Sequence, residues 1–344
     1  GTTGIPKGVV HTWDRFFGLV RPAVARRVSP SLLRSVLLPL PMCYYSGLLG
    51  ALATMLSGGK LIQMERFRPQ LMWEFIENER VTQVGASPTM FRLMLRMKGQ
   101  ERYDVSSVRV VTYSMEPMPP ELARTLHERF QAPIEQFYGM NETGNITWTS
   151  LDDPPEIAAT TVGKAVPGAK VRIVDDDRQP LPDGQRGEVA VKTSQMMLGY
   201  YRSPELNAQV FDDEGWFYTG DVGFVGDDGN LRLVDRKKDL IIRGGQNIYP
   251  AEVEAYLELH PDVHRAGVIG VPNEIGGEAV WAYVELVSGS TLSAREVRSY
   301  CRGNIAKFKV PNQVRFVEKM PLSVTDKVQR YKLRELAAAE APEA

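Results

Sequence analysis

Short apolar runs alternate with helical patterns over residues 34–144 of the chain. VLLPL (Val36 to Leu40) and KLIQM (Lys60 to Met64) are typical of short buried strands, and a helical run from Leu48 to Leu56 separates them. The next helix is predicted to begin near Pro69, because proline fits the first turn of a helix. Strands and helices continue to alternate up to IEQFYG. This order predicts the fold class α/β, with a doubly wound and mostly parallel sheet.

The pattern changes near Val162, where short alternating strands and the turn signal DDGN begin to dominate. They predict a small antiparallel, β-barrel-like unit over about residues 162–234. Mixed helices and strands follow, and Ser293 with Glu296 forms the pattern of a capping box. We therefore place a domain boundary at Asp235. Residues 1–234 are expected to belong to a large domain, and residues 235–344 to a smaller α+β domain.

Composition excludes several classes of protein. The 344 residues carry a net charge of −1, which gives no general reason to expect binding to nucleic acid or to a membrane surface. Cys43 and Cys301 lie far apart and have no CxxC partner, so we expect a reducing, cytoplasmic setting. No apolar run reaches the roughly 18 residues of a membrane-spanning helix, so no integral membrane segment is expected.

Ligands of doubly wound sheets bind beyond the carboxyl ends of the strands. Three predicted loops occupy such places: SPT (Ser87 to Thr89), YSMEPM (Tyr113 to Met118) and YGMNETG (Tyr138 to Gly144). These stretches are therefore candidate ligand loops.

The chain opens on GTTGIPKG, whose glycines and proline suit a loop. Glycines expose backbone N–H groups, Thr2 and Thr3 provide hydroxyls, and Lys7 provides a positive charge, as a phosphate-binding loop requires. The order of these residues differs from that of the P-loop motif, GxxxxGK[ST]. On this segment alone, a surface turn is an equally good interpretation.

Two acidic positions suggest further nucleotide chemistry. Glu142 follows a predicted strand, and one carboxylate is sufficient for a magnesium ion that also binds water and phosphate oxygens. Asp221 in GWFYTGD is suited to accept hydrogen bonds from two ribose hydroxyls, and Arg236 follows soon after it. For each position taken alone, a solvated charged surface is the better interpretation.

Five segments, taken in order and spacing, resemble a single family: GTTGIPKG, YGMNETG, YTGD, DRKKDLIIRGGQNIYPAEVE and PLSVTDKVQRYKLRE. They are similar to motifs of the adenylate-forming superfamily of acyl-CoA synthetases, which includes luciferases and the adenylation domains of peptide synthetases. The resemblance extends from Gly1 to Glu335. It implies ATP-dependent activation of a carboxylic acid to an acyl-adenylate, followed by thioester formation with coenzyme A. The implied cofactors are ATP, magnesium and coenzyme A.

The resemblance also implies roles for individual residues. Lys327 matches the catalytic lysine, Glu142 the magnesium-linked glutamate, and Asp235 the hinge about which the small domain rotates. Gly245 matches a glycine that lines the pantetheine tunnel. The positions implied to bind the nucleotide are Thr2, Thr3, Lys7, Glu116, Pro117, Tyr138, Gly139, Asn141, Asp221 and Arg236. The first step brings two anions together, so Lys327 is expected to stabilise the charge that spreads over the phosphoryl oxygens.

Several positions depart from the family pattern. Asn141 stands where threonine is usual, and Met115 where glycine is usual. In the last motif, Leu322, Ser323 and Asp326 replace lysine, threonine and glycine. The Asp326 carboxylate is expected to pair with Lys327 and to weaken its contact with the α-phosphate.

The stretch PMCYYSGL resembles the acyl pocket of the family, with Tyr44 where histidine is common. It offers no aspartate for a substrate ammonium, which disfavours an amino acid. We therefore expect a fatty or other uncharged acid, in contact with Tyr44, Met115 and Met140.

Two alternatives stay open from the sequence. The first is an adenylate-forming enzyme that transfers its product to a carrier-protein thiol or to oxygen, and the second is a weakly active or noncatalytic nucleotide-binding relative. The identity of the acid and a homo-oligomeric state are also undecided. The resemblance further predicts that the chain is truncated before Gly1 and is poorly active as it stands.

Overall fold

The computed structural model describes residues 7–18, 34–40, 42, 44–64, 66–273, 277–322 and 327–340. Contacts between residues divide the chain into two compact units. The larger unit comprises Lys7–Thr219 and Phe224–Leu233. The smaller unit contains Gly220–Gly223 and the described part of Val234–Ala344.

The structure gives the bounds of strands and helices within these described residues. The strands are β1 (Val9–Val10), β2 (Ser35–Leu38), β3 (Lys60–Gln63), β4 (Gln83–Ala86), β5 (Val110–Tyr113), β6 (Ile134–Met140), β7 (Gly144–Trp148), β8 (Lys164–Ala165), β9 (Ala169–Val174), β10 (Gly187–Thr193), β11 (Gly199–Tyr200), β12 (Phe217–Val225), β13 (Leu231–Arg236), β14 (Ile241–Arg243), β15 (Gln246–Ile248), β16 (Val263–Asn273), β17 (Gly277–Leu286) and β18 (Gln313–Phe316). The helices are α1 (Tyr45–Leu56), α2 (Pro69–Asn78), α3 (Pro88–Arg96), α4 (Pro120–Phe130), α5 (Pro155–Thr160), α6 (Pro204–Val210), α7 (Pro250–Leu257), α8 (Ala294–Cys301) and α9 (Arg330–Glu340).

A seven-stranded sheet lies at the centre of the larger unit, with strand order β3-β2-β4-β5-β6-β7-β8. The pairings from β3 to β6 are parallel, whereas β7 and β8 add antiparallel strands at one edge. The carboxyl ends of β2, β4, β5 and β6 therefore meet at one edge of the sheet. This is where a sheet of this kind binds ligands.

Burial explains why the sequences of the parallel strands are continuous apolar runs. Every residue of β2, β4 and β5 is buried, as is typical of a sheet covered on both faces. Trp73 is fully buried in the same core, stacks 5.6 Å from Phe130, and donates through Nε1 to the carbonyl of Met94. Packing of this density fixes the scaffold from which the loops at the strand ends project.

Two smaller sheets accompany the central sheet. Strands β13, β12, β10 and β9 are adjacent in that order, and β10 pairs with β9 in antiparallel fashion. Strands β1 and β11 form a separate antiparallel pair in which Val9 lies opposite Tyr200. This short pair brings Val9 and Val10 next to residues about 190 positions later in the chain.

The smaller unit is built on strands β14 to β18, with the long β16–β17 hairpin at its centre. Strand β18 pairs with β17 in parallel. Helices α7 and α8 belong to its core through Val253, Leu257, Val297 and Cys301. The predicted capping box at the start of α8 is confirmed, because Ser293 and Glu296 bond to each other's backbone N–H groups.

The predicted α/β class and the mostly parallel sheet are confirmed. The predicted start of the first helix at Leu48 is wrong, since α1 begins at Tyr45. Tyr44 precedes it and provides no side-chain cap, so the sequence carried no local start signal. Within the described residues, the helices are too short or too polar to cross a bilayer.

Candidate active site

Two of the loops predicted to bind a ligand are joined by a carboxylate. Glu116, in the loop after β5, accepts hydrogen bonds from the backbone N–H of Thr89 at 2.8 Å and from its hydroxyl at 3.1 Å. Thr89 lies in the first turn of α3, where N–H groups lack partners within the helix. Glu116 therefore caps a helix that starts 28 residues before it. Pro117, the next residue in this loop, is exposed.

Asn141, in the loop after β6, also caps a helix from a distance. Its Oδ1 accepts from the backbone N–H of Tyr45 at 3.0 Å, at the start of α1. Its carbonyl accepts from Nε2 of His11 at 2.6 Å. Because Oδ1 is occupied, the amide nitrogen is the part of Asn141 that is suited to donate to a ligand oxygen.

Glu142 and Lys7 meet at one tyrosine. The Tyr200 hydroxyl donates to Oε1 of Glu142 at 2.8 Å, and Nζ of Lys7 lies 5.0 Å from the centre of the Tyr200 ring. The backbone carbonyl of Glu142 accepts from the N–H of Met197 at 2.7 Å. The β1–β11 pair holds Tyr200 in place. In the larger unit, a cation thus lies over the ring of a buried tyrosine whose hydroxyl bonds to a carboxylate.

This arrangement fits a magnesium ion that is shared with phosphate. Among the described residues, no group of three or more His, Cys, Asp or Glu side chains could enclose a metal. Magnesium is commonly held by one or two carboxylates together with water and phosphate oxygens, so Glu142 alone is an adequate protein ligand. The bound ion would neutralise charge on the phosphates.

The remaining predicted residues of the larger unit lie around this cluster. Tyr138 is buried in β6, and Gly139 is exposed beside it. A Cβ on Gly139 would lie 2.1 Å from the carbonyl oxygen of Gly144, so only glycine fits there. Met140 packs against the core formed by β6 and the smaller strands of this unit.

A cavity of about 360 Å³ opens in the larger unit. Its lining includes Lys7, His11, Trp13, Tyr44 and Asn141. Tyr44 is thus brought together with Lys7 and Asn141, whereas Met115 and Met140 are not among the lining residues. The described part of the lining thus combines aromatic side chains with the cation Lys7, and apolar walls with a few polar groups are usual in ligand pockets.

Met115 adopts a backbone conformation that favours glycine. Its φ is +82°, whereas the left-handed region that other residues tolerate is centred near about +57°. A side chain costs roughly 1–2 kcal/mol in left-handed geometry. Strained residues of this kind concentrate at functional sites.

We expect Met115→Gly to stabilise the protein by about 0.5–1 kcal/mol, because the relief of strain exceeds the entropic cost of glycine. Thermal unfolding should show a rise in midpoint of about 1–3 °C. Met115→Ala is the matched control, since it shortens the side chain but keeps the Cβ atom. Equal midpoints for the two variants would contradict a backbone origin of the effect.

In the smaller unit, Asp221 and Arg236 form an ion pair. Nε of Arg236 lies 2.8 Å from Oδ1 of Asp221, whose side chain is only 8% exposed. A bond through Oδ1 holds the carboxylate in a fixed orientation. The two residues that were predicted to be partners are therefore in direct contact.

Asp235 is a third residue that caps a distant helix. Its Oδ2 accepts from the N–H of Ala251 at 2.8 Å, in the first turn of α7, and its Oδ1 accepts from the N–H of Arg236. Burial raises the pKa of Asp235, and the positive charge of Arg330 opposes that rise. The predicted hinge position is thus fastened to the helix that follows it.

Gly244 and Gly245 join β14 to β15 with φ values of +57° and +75°. Two successive residues with positive φ are typical of a tight hairpin turn, and a Cβ at either position would meet nothing within 4 Å. Lys327 is exposed near the start of α9. Thr2, Thr3, Ser323 and Asp326 lie outside the described residues.

Comparison with known proteins identifies the family. A family model described as AMP-binding enzyme matches residues 1–201, which is more than half of the chain. The chain belongs to the AMP-binding enzyme family. A second model, the AMP-binding enzyme C-terminal domain, matches residues 252–327. The resemblance to the adenylate-forming superfamily is thereby confirmed.

Several proteins, some of them with solved structures, are similar to this AMP-binding chain. The putative acyl-CoA synthetase YngI of Bacillus subtilis is 34% identical over 97% of this chain and 62% of its own length. ATP-bound MatB from Rhodopseudomonas palustris has a TM-score of 0.89 at 31% identity, over 98% of this chain and 66% of MatB. The amide bond synthetase McbA from Marinactinospora thermotolerans has a TM-score of 0.86 at 36% identity, over 97% and 68%. The chain thus spans roughly two thirds of each.

Two residues of this AMP-binding chain that lie at the site were not predicted from the sequence. Tyr200 and His11 contact Glu142 and Asn141, but both contacts depend on pairing between distant segments. The stretch MLGYY lies between predicted strands and contains no charged residue. Its one local signal is the aromatic pair itself, which is more often part of a core.

Proposed function

We propose that the protein activates a carboxylic acid with ATP and then transfers the acyl group to the thiol of coenzyme A. The observation that supports this proposal is the Lys7–Tyr200–Glu142 cluster, in which a lysine and a carboxylate contact the same tyrosine in a member of the AMP-binding enzyme family. Phosphoryl transfer of this kind is catalysed mainly by positioning and charge stabilisation.

The proposed reaction has two steps. In the first, a carboxylate oxygen attacks the α-phosphorus of ATP, the bond to the β-phosphate breaks, and pyrophosphate leaves. In the second, the thiolate of coenzyme A attacks the acyl carbon and AMP leaves. We assign Lys7 and Glu142 to the phosphates, Asp221 to the ribose, and Lys327 to the charge that develops in the first step.

We further propose that the acid is an uncharged aliphatic or aromatic one. The cavity beside Lys7 is lined by Trp13 and Tyr44, and the described part of its lining includes no acidic side chain that would bind an ammonium group. An apolar pocket with a few polar groups is the usual form of such a site.

Pyrophosphate exchange with a panel of carboxylic acids tests the first step. We expect exchange with apolar acids and none with amino acids. Coenzyme A-dependent release of AMP then tests the second step. Binding of ATP without exchange for any acid would overturn the proposal and favour a noncatalytic relative.

The acceptor has a second candidate. The similarity to McbA, an amide bond synthetase, favours testing an amine in place of the thiol. AMP release should be measured with coenzyme A, with an amine and with a pantetheinyl carrier protein. The acceptor that accelerates release identifies the second step.

The Gly244–Gly245 turn allows the proposed tunnel role of Gly245 to be separated from its role in the fold. Asparagine tolerates positive φ, so Gly245→Asn should keep the turn while adding a side chain. We expect thioester formation to slow about tenfold through misplacement of the thiol, with pyrophosphate exchange unchanged. Gly244→Asn is the matched control, and equal slowing in both variants would contradict a specific role of Gly245.

A further inference from the structure

The start of α9 is held by a buried cluster of charges. Nε and Nη2 of Arg330 donate to Oε1 and Oε2 of Glu254 at 3.0 and 2.6 Å, which is a bidentate pair. Nη1 of Arg330 donates to Oδ2 of Asp239 at 3.2 Å. The three side chains are 17%, 12% and 8% exposed, so water screens them little.

Each carboxylate of this cluster accepts a further hydrogen bond, Glu254 from β16 and Asp239 from a second arginine of α9. Oε1 of Glu254 accepts from the N–H of Val268 in β16 at 2.7 Å. Oδ1 of Asp239 accepts from Nη2 of Arg334 at 3.0 Å. Because the acceptors are themselves fixed, the guanidinium of Arg330 has one well-defined position.

The cluster connects two positions that the proposed function uses. Glu254 lies in α7, whose first turn is capped by Asp235, the proposed hinge. On the other side, Arg330 follows Lys327 by three residues. Helix α7 is therefore a rigid connection between Asp235 and the first residue of α9.

Backbone contacts also hold the residues that flank Lys327. Leu322 and Val328 form an antiparallel bridge, and the N–H of Gln329 donates to the carbonyl of Pro321 at 2.8 Å. Arg330 comes directly after this bridge. Its bonds therefore determine where the bridge and Lys327 lie with respect to α7.

We propose that Arg330 is a positioning residue for Lys327, which it holds in a fixed place relative to the Asp235 hinge through Glu254 and Asp239. This inference rests on the proposed function of Lys327. Arg330 itself is too buried and too fully bonded to bind substrate. It acts by fixing the backbone from which Lys327 projects.

Arg330→Lys is the primary test, because lysine keeps the charge beside Glu254 but cannot form the bidentate pair. We expect the maximal rate of pyrophosphate exchange to fall about 10- to 100-fold, since a displacement of about 1 Å has effects of this size. The KM for ATP should stay unchanged, and thioester formation from supplied acyl-adenylate should also be unchanged. A general loss of stability would instead lower the rates of both half-reactions, pyrophosphate exchange and thioester formation, together.

Arg315→Lys is the matched control. It alters another arginine–carboxylate pair of α9, with Glu340 at 3.0 Å, but Arg315 is 43% exposed and this pair lies at the end of α9 away from Lys327. We expect its exchange rate to stay at the unsubstituted value. A double variant, Arg330→Met with Glu254→Gln, removes both charges and keeps an oxygen that accepts from the N–H of Val268. Its rate of pyrophosphate exchange should fall as that of Arg330→Lys does.

Hydrogen exchange of the Gln329 amide gives a readout that needs no activity. We expect it to accelerate about tenfold in Arg330→Lys, because the opening that breaks its bond to Pro321 becomes easier. Unchanged amide exchange, or equal losses in both half-reactions, would overturn the positioning role. If the unsubstituted protein shows no pyrophosphate exchange, the proposed function fails, while the amide measurement still decides the role of Arg330.

Discussion

Replacement of Lys327 by alanine is expected to abolish adenylation within the sensitivity of a pyrophosphate exchange assay. A carboxylate and a triphosphate repel each other as they approach, and a lysine ammonium that bridges them offsets this repulsion where the charge develops. Loss of one such donor costs roughly 3–4 kcal/mol, which corresponds to a fall of about 10²- to 10³-fold in rate. The KM for ATP should change little, because other residues are proposed to bind the nucleotide.

Two companion variants make this result specific to Lys327. Lys327→Arg keeps the charge but changes the shape of the donor, so it should recover only part of the rate. Lys332→Ala removes another exposed lysine from the same region and should leave the rate unchanged. Normal exchange in Lys327→Ala would remove this residue from the mechanism.

Much of the fold was predictable because its signals are local. The apolar runs of β2, β4 and β5 and the prolines that open α2 and α7 identify their elements within a few residues. The order of the motifs was sufficient to indicate the family. These features depend on neighbouring residues in the chain, and the sequence displays such residues directly.

The contacts that build the candidate site were not predictable, because they are distant in the chain. Asn141, Glu116 and Asp235 each cap a helix that begins at least 15 residues away. A capping signal is recognised only when it lies next to the helix. The sequence therefore indicated nucleotide-binding roles for Asn141 and Glu116 and a hinge role for Asp235, and it gave no sign that these residues cap helices.

The structural roles change how variants of these residues are interpreted. Removal of Glu116 or Asp235 leaves N–H groups of a first helical turn without their partner, at a cost of about 0.5–2 kcal/mol. A loss of activity in such a variant therefore combines the loss of the predicted functional role with the displacement of a helix. The effect of a Lys7 variant is easier to interpret, because Lys7 contacts the Tyr200 ring and, among the described residues, does not cap a helix.

Glu142→Gln is the second variant with a large expected effect. Glutamine keeps an oxygen that accepts from the Tyr200 hydroxyl, so the local structure should persist, but the negative charge is lost. Magnesium prefers charged oxygen ligands, so we expect a rise in the magnesium concentration needed for half-maximal exchange and a fall in rate of about 10²-fold. Pyrophosphate exchange as a function of magnesium concentration measures both quantities.

Two controls separate the charge of Glu142 from its orientation. Tyr200→Phe removes only the hydroxyl that orients the carboxylate, and partners of this kind contribute about 10- to 100-fold to metal affinity. Its magnesium requirement should therefore lie between those of the unsubstituted protein and Glu142→Gln. Glu121→Gln, at a carboxylate that is 79% exposed on α4, should leave the requirement unchanged. If Glu142→Gln behaves like Glu121→Gln, the Glu142 carboxylate does not bind the metal, and the Lys7–Tyr200 pair would be left as the phosphate-binding element of the larger unit.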